Sequence, residues 1–230
     1  MFAVIFEVHP KKERWNDYLS LAKQLKPELE AIDGFIDNER FGSKKTPGNV
    51  LSLSTWRDEK ALVRWRTNSE HHSVQEKGRS EVFEDYHLRV GEITSDSRPP
   101  MGLKVEEQHF DETDIGEAKT CTLTEVAPSN QSKSDPESDL VLAHLHLDSV
   151  ADGLLDFEVF ESITSLGKLL ILASWRDKST ARAWKPMSFG GIGEIRHREV
   201  RIIRDYGMFE RREAPQFYPL VERANRARRA

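Results

Sequence analysis

The 230-residue sequence contains a single cysteine, Cys121. One thiol cannot close an intramolecular disulfide, and it cannot build a cysteine-based zinc site within one chain. Long apolar runs are also missing. The start, Met1-Phe2-Ala3-Val4-Ile5-Phe6, meets Glu7 at once, which is too short for the core of a signal peptide. No stretch approaches the roughly 18 apolar residues of a membrane span. A cytoplasmic protein with no membrane partner is therefore expected. There is no excess of basic residues: 34 Lys and Arg stand against 39 Asp and Glu, a net charge of −5. Nothing in that balance asks for a nucleic acid as partner. A glycine-rich phosphate loop, a Gly-x-Ser-x-Gly elbow and a cysteine nucleophile context are absent as well.

What the sequence does contain is itself, twice. Trp56-Arg57-Asp58 returns as Trp175-Arg176-Asp177, 119 residues on, and Trp65 and Asp33-Gly34 return as Trp184 and Asp152-Gly153 at that same offset. The apolar segment Val50–Thr55 matches Leu169–Ser174 in the same register. Several short matches at one spacing mark a duplication, and periods must be sought before elements are assigned. The boundaries read as a first repeat over 1–93, a polar, turn-rich linker over 94–117, a second repeat over 118–211 and a tail over 212–230.

Within the first repeat, Phe2 to Val8 is a β-rich run. Lys12 to Ile32 carries Trp15, Tyr18, Leu19, Ala22, Leu25, Leu29 and Ile32 at helical spacing. Pro27 inside it predicts a kink or break, and Gly34 suits the left-handed position after a helix. Strands over 35–41 and 50–56 come next, then a helix capped by Asp58 to roughly Asn68 that resumes after His71, then a strand over 86–92. The second repeat predicts strands at 119–126, 154–163, 168–175 and 199–204. Its helix starts at Asp135-Pro136-Glu137 and runs into Leu140–Leu147, whose even alternation equally fits a strand. The order β-α-β-β-α-β is ferredoxin-like, α+β, with both helices on one face of an antiparallel sheet. The bare sheet face needs a partner, and the other repeat supplies it: two sheets face to face in an intramolecular α+β barrel. Such a chain is a monomeric pseudo-dimer or a homodimer of one.

The densest polar and aromatic group is Trp65-Arg66-Thr67-Asn68-Ser69-Glu70-His71-His72, continuing to Gln75 and Arg79. Adjacent histidines on a helix point about 100° apart, so at most one of His71 and His72 faces a given pocket. A histidine there can carry a proton near neutral pH or ligate a metal or haem; it can equally be a helix-end residue beside a core tryptophan. Adjacent histidines lack the i, i+4 spacing of a helical metal pair, and His144 and His146 would diverge on a helix, so no metal site is expected. His87 and Arg89 alternate with Leu88 and Val90. Leu88 and Val90 are expected under the helices, which leaves Arg89 between the two sheets or at their rim.

The run Trp56-Arg57-Asp58-Glu59-Lys60-Ala61-Leu62, with Trp65-Arg66, Glu70-His71-His72, Gln75, Gly78-Arg79, Asp85-Tyr86 and Leu88-Arg89-Val90, resembles the antibiotic biosynthesis monooxygenase family. Arg204-Asp205-Tyr206-Gly207-Met208-Phe209-Glu210-Arg211 resembles the C-terminal end of its single-domain members. The resemblance implies a dimeric α+β barrel with a pocket between sheet and helices. It also implies a cofactor-independent monooxygenase acting on a small aromatic phenol or quinol. The alternatives are a non-catalytic binding or structural barrel, and a haem-binding or haem-degrading protein. On this reading His71 or His72 is the base and Arg89 an anion stabiliser, while Trp65, Arg66, Asn68, Gln75 and Phe83 contact the substrate. No cofactor is expected. Haem remains the exception to consider, although the family's proximal histidine falls where this chain has Gln75, and its first-strand asparagine falls near Phe6 or Glu7. The second repeat, broken by Pro186, Gly190, Gly191 and Gly193, reads mainly as a structural mate.

Overall fold

A computed structural model describes residues 1–127, 147, 152–184 and 193–221. The expected second-repeat helix over 135–146, with His144 and His146, and most of the Pro- and Gly-broken stretch lie outside the described residues. The first repeat runs β1 (Phe2–Pro10), a 3-10 turn, α1 (Trp15–Glu30), β2 (Phe35–Ser43), β3 (Val50–Trp56), α2 (Glu59–Arg66), α3 (Ser69–Lys77), a π-helical turn (Gly78–Val82) and β4 (Phe83–Asp96). The second runs β5 (Thr120–Ala127), β6 (Leu154–Ser162), β7 (Leu169–Trp175), α4 (Lys178–Ala183) and β8 (Glu194–Gly207).

The strands close a barrel in the order β1-β3-β2-β6-β7-β5-β8-β4. Each half keeps the ferredoxin-like order, β4-β1-β3-β2 and β8-β5-β7-β6, so the two sheets are related repeats joined at both edges. β2 pairs antiparallel with β6, and β4 with β8. Closure leaves none of the eight described strands with an unpaired edge. Side chains alternate along β1: Ala3 and Ile5 enter the barrel interior with Leu53, Ile93, Cys121, Leu123, Leu172 and Val200, whereas Phe2, Val4 and Phe6 face the helices. β4 is longer than its apolar run predicts. Register shifts at Val90/Gly91 and Ile93/Ser95 let it bend with β8 around the closure. Gly91 is required there, since a Cβ would lie 2.4 Å from the Arg201 carbonyl oxygen.

The duplicated motif is a joint between helix and sheet. Gly34 and Gly153 both have positive φ, +92° and +74°, and their carbonyls accept the amides of Arg57 and Arg176 at 2.8 and 2.9 Å. Asp58 then caps α2 through the Ala61 amide, and Asp177 caps α4 through the Thr180 amide. The expected break at Pro27 does not occur: α1 continues through it to Glu30. Pro27 falls in the last helical turn, so the one bond it withholds, to the Lys23 carbonyl, leaves only a single turn to be held beyond it. The stretch between the repeats is tied down. Leu103 and Val105 pack on the barrel core, and Glu107 pairs with Lys178 and Arg201 at 2.7 and 3.0 Å.

Candidate active site

The helices of the first repeat do not lie flush on the sheet. Between them is a cavity of about 210 Å³. Strand alternation supplies its floor, Phe2, Val4 and Phe6 from β1, Leu88 and Val90 from β4, and Ser52 and Ser54 from β3. The Asp58 cap starts α2 so that Leu62, Trp65 and Arg66 turn toward the floor. The chain breaks at Thr67, and Asn68 caps α3 by accepting the His71 amide at 3.0 Å. That restart turns His71, Val74 and Gln75 inward. The π-turn, a local widening often found where a side chain must be re-aimed, then buries Arg79 at 5% exposure.

His71 stacks on Trp65, with centroids 4.1 Å apart and planes at 16°. Its Nδ1 lies 3.0 Å from the Trp65 carbonyl. A carbonyl only accepts, so Nδ1 carries the proton and Nε2 keeps the lone pair. Burial pulls the imidazole pKa down to about 4, leaving it neutral at physiological pH.

The opposite end of the cavity is polar. The Tyr86 hydroxyl accepts from Arg79 Nη1 and from Arg211 Nη1, both at 2.6 Å. Arg211 belongs to the segment after β8, which crosses the opening: its Nη2 donates to the Gln216 carbonyl at 2.9 Å, and Tyr218 donates to Gln75 at 2.7 Å. Arg79 and Arg211 each lie 5.4 Å from the Tyr218 ring centroid. Burial pushes the phenols of Tyr206 and Tyr218 up to about 12, so both stay protonated. Five arginines line the cavity, Arg40, Arg66, Arg79, Arg204 and Arg211. Among the described residues none of the five forms an ion pair with a carboxylate. The one acidic residue on the wall, Glu59, faces His109 at 3.0 Å.

Of the residues singled out from sequence, Trp65, Arg66, His71, Gln75 and Phe83 meet at this cavity. Three do not. Asn68 spends its side-chain oxygen on the helix cap. His72 stacks on Tyr218 and its Nδ1 lies 3.1 Å from that hydroxyl, so it secures the C-terminal segment. Arg89 points through the sheet into the barrel, as strand alternation requires. There it donates to Ser174 at 2.8 Å and to Cys121 Sγ at 3.1 Å, and pairs with Glu7. An anion-stabilising role for Arg89 in the Trp65 cavity is thereby corrected: the β-sheet stands between them.

Sequence reasoning missed Arg40, Arg204, Tyr206, Tyr218 and the Arg79–Tyr86–Arg211 cluster as wall. Arg79, Tyr86, Arg204 and Arg211 lie inside the runs that carry the family resemblance, which was their signal. The second repeat contributes Ile203, Arg204, Tyr206 and Arg211 to the cavity and the tail contributes Tyr218, so the second repeat does more than close the barrel.

The residues present do not fit haem. A cavity of ~150 Å³ holds one benzene, so 210 Å³ accommodates a ring with a short substituent, and not a tetrapyrrole plate. Gln75, at the expected proximal position, is bonded to Tyr218. No group of three or more His, Cys, Asp or Glu among the described residues is placed to hold a metal ion.

Residues 1–77 match the model of a family described as antibiotic biosynthesis monooxygenase. The chain is 45% identical over 224 residues to the protein named Jasmonate monooxygenase ABM of Pyricularia oryzae, covering 95% of this chain and 99% of that relative. It is 30% identical over 92 residues to the uncharacterized protein YqjZ of Bacillus subtilis, covering 40% of this chain and 78% of the other. Among solved structures, an aldoxime dehydratase aligns with a TM-score of 0.56 at 11% identity, over 87% of this chain and 80% of that one, which is a likeness of fold alone. With near-complete coverage at that first identity, the chain belongs to the antibiotic biosynthesis monooxygenase family.

Proposed function

We propose that this protein is a monooxygenase whose substrate is a small, largely apolar molecule bearing an acid group, held in the first-repeat cavity. The observation that carries this reading is a largely apolar cavity whose wall holds five arginines, four of them buried or half-buried, none paired with a carboxylate among the described residues. Buried or half-buried guanidinium groups without counter-charge favour an anionic ligand. Jasmonate, for which the 45% identical relative is named, is such a molecule: a cyclopentanone with an apolar side chain and an acid arm.

A monooxygenase places one atom of O2 in the substrate and reduces the other to water with two electrons. The chain's own residues bind and orient the substrate and exclude water. The Trp65–His71 stack walls the apolar end, and His71 Nε2 offers an acceptor for a hydroxyl or a transferred proton. The phenol or quinol expected from the family resemblance suits this chemistry less well. A histidine with a pKa of about 4 takes a proton from a phenol of pKa ~10 only far uphill.

Oxygen uptake separates the two substrate classes. Purified protein is incubated with jasmonic acid, its methyl ester and a panel of hydroquinones, with and without an added electron donor. Products are weighed by mass spectrometry. The proposal predicts uptake and a product heavier by one oxygen atom with the acid, and weaker turnover of the ester. Turnover confined to hydroquinones would replace the acid with a phenol. No turnover of any would overturn the monooxygenase reading.

A further inference from the structure

The five arginines are not equivalent, and the cavity has two distinct ends. Phe2, Leu29, Trp56 and Leu62 pack together with Trp65 and Val90 at one end. At the other, Val8, Tyr18, Val82, Tyr86 and Met208 form a separate cluster with Phe83 and Leu88. The second end carries unspent hydrogen-bond donors. A phenol oxygen has one O–H to give and two lone pairs to receive. Tyr86 receives from both Arg79 and Arg211, and no group among the described residues accepts its own proton. Arg79 gives Nη1 to Tyr86 and to the Met208 carbonyl at 3.2 Å. Its Nη2, fully buried, has no partner. An unmade bond from a buried guanidinium is costly and uncommon, and two such donors on one cavity wall point to a ligand that accepts from both.

We infer that Arg79 Nη2 and the Tyr86 hydroxyl form the subsite for the substrate's acid group, with Arg211 and Tyr218 closing it from the C-terminal segment. This rests on the acidic-substrate reading above and adds an orientation: the carboxylate sits at the Tyr86 end, and the part of the molecule farthest from it lies against Trp65 and His71. Arg211 acts as a positioning residue, holding the Tyr86 oxygen from the side opposite Arg79 so that the O–H is left for the ligand. Arg66 and Arg204 attract the anion to the opening without holding it.

Calorimetric titration of wild type, Tyr86→Phe, Arg79→Gln and Arg66→Gln with jasmonic acid, methyl jasmonate and cyclopentylacetic acid tests this. Tyr86→Phe removes one oxygen. It is expected to weaken both acids about tenfold to a hundredfold, the value of a hydrogen bond to a charged group, and to move the ester less than about threefold. Ester binding by the variant shows that the cavity still forms. Arg79→Gln is expected to weaken the acids more, and Arg66→Gln less than either. Equal losses for acid and ester, or acid affinity untouched by Tyr86→Phe and carried by Arg66, would overturn the subsite. If the acids bind with this Tyr86 dependence while jasmonate consumes no oxygen, the subsite stands and the reading of an acid as the oxygenated substrate fails. If no acid binds the wild type, both fail.

Discussion

Trp65 and Trp184 are equivalent positions of the two halves, and the described residues around them differ. Trp184 stacks on Trp175 with centroids 5.7 Å apart and meets His197 edge-on, at 8% exposure within a closed apolar cluster that includes Ala181 and Leu169. Trp65 stacks on a histidine at the wall of a cavity, beside a row of arginines. In both repeats the Asp-Gly turn and the Trp-Arg-Asp joint place the tryptophan. The first repeat restarts a helix at Asn68 and turns Arg79 inward; α4 of the second ends at Ala183, one residue before its tryptophan. The cavity belongs to the repeat that carries α3 and the π-turn.

Removing each tryptophan in turn should separate the two repeats most widely. Trp184→Ala is expected to lower stability by about 3–5 kcal/mol, the cost of emptying a packed aromatic site. Turnover per folded molecule should change little. Trp65→Ala is expected to do the reverse, with kcat/KM down about a hundredfold through lost orientation and a smaller fall in the urea midpoint. Urea unfolding paired with oxygen uptake reads both, and a reversed pattern would exchange the roles of the repeats.

A second contrast is electrostatic and shared. His71 and His197, one in each repeat, are both held by burial at a pKa of about 4, below the usual 6.5. Between those values the unfolded chain binds protons that the folded chain refuses. Stability is therefore full above about pH 6.5 and declines as pH falls toward 4. His71→Gln and His197→Gln should each flatten part of that decline, measured as the urea midpoint at pH 7 and pH 5. A midpoint unchanged between the two would contradict the burial of both.

The smallest effects should be equal. Asp58→Ala and Asp177→Ala each remove a cap of the same geometry, costing about 1 kcal/mol apiece. Only Asp58→Ala should also reduce turnover, because α2 carries Trp65. A loss of turnover from Asp177→Ala would mean that the second repeat positions the chemistry too.

Much of the scaffold was legible because it repeats. Val50–Trp56 is the strand expected of its apolar run, and Gly34 takes the left-handed backbone that its place after a helix required. Pro27 allowed a kink or a break, and of the two the break is absent, since α1 runs on to Glu30. The far limit of β4 depended on bulges that only closure with β8 demands. Trp65 and His71 could be read as a group because they share one local helix-turn-helix. The acid-binding end could not, since Arg79 reaches Tyr86 through a π-turn. Arg211 and Tyr218 come from the far end of the chain, and no local pattern links them to residue 79. Strand parity left Arg89 between the two sheets or at their rim, and the structure buries it between them, on the far side of the sheet from the cavity.

One working site per chain, in the first repeat and oriented by its acid-binding end, is tested most directly by a crystal structure of the protein grown with jasmonic acid. A single ligand is expected, with its carboxylate on Arg79 and Tyr86 and its ring toward Trp65. A ligand beneath Trp184, or one reversed with its carboxylate beside Trp65, would contradict that arrangement.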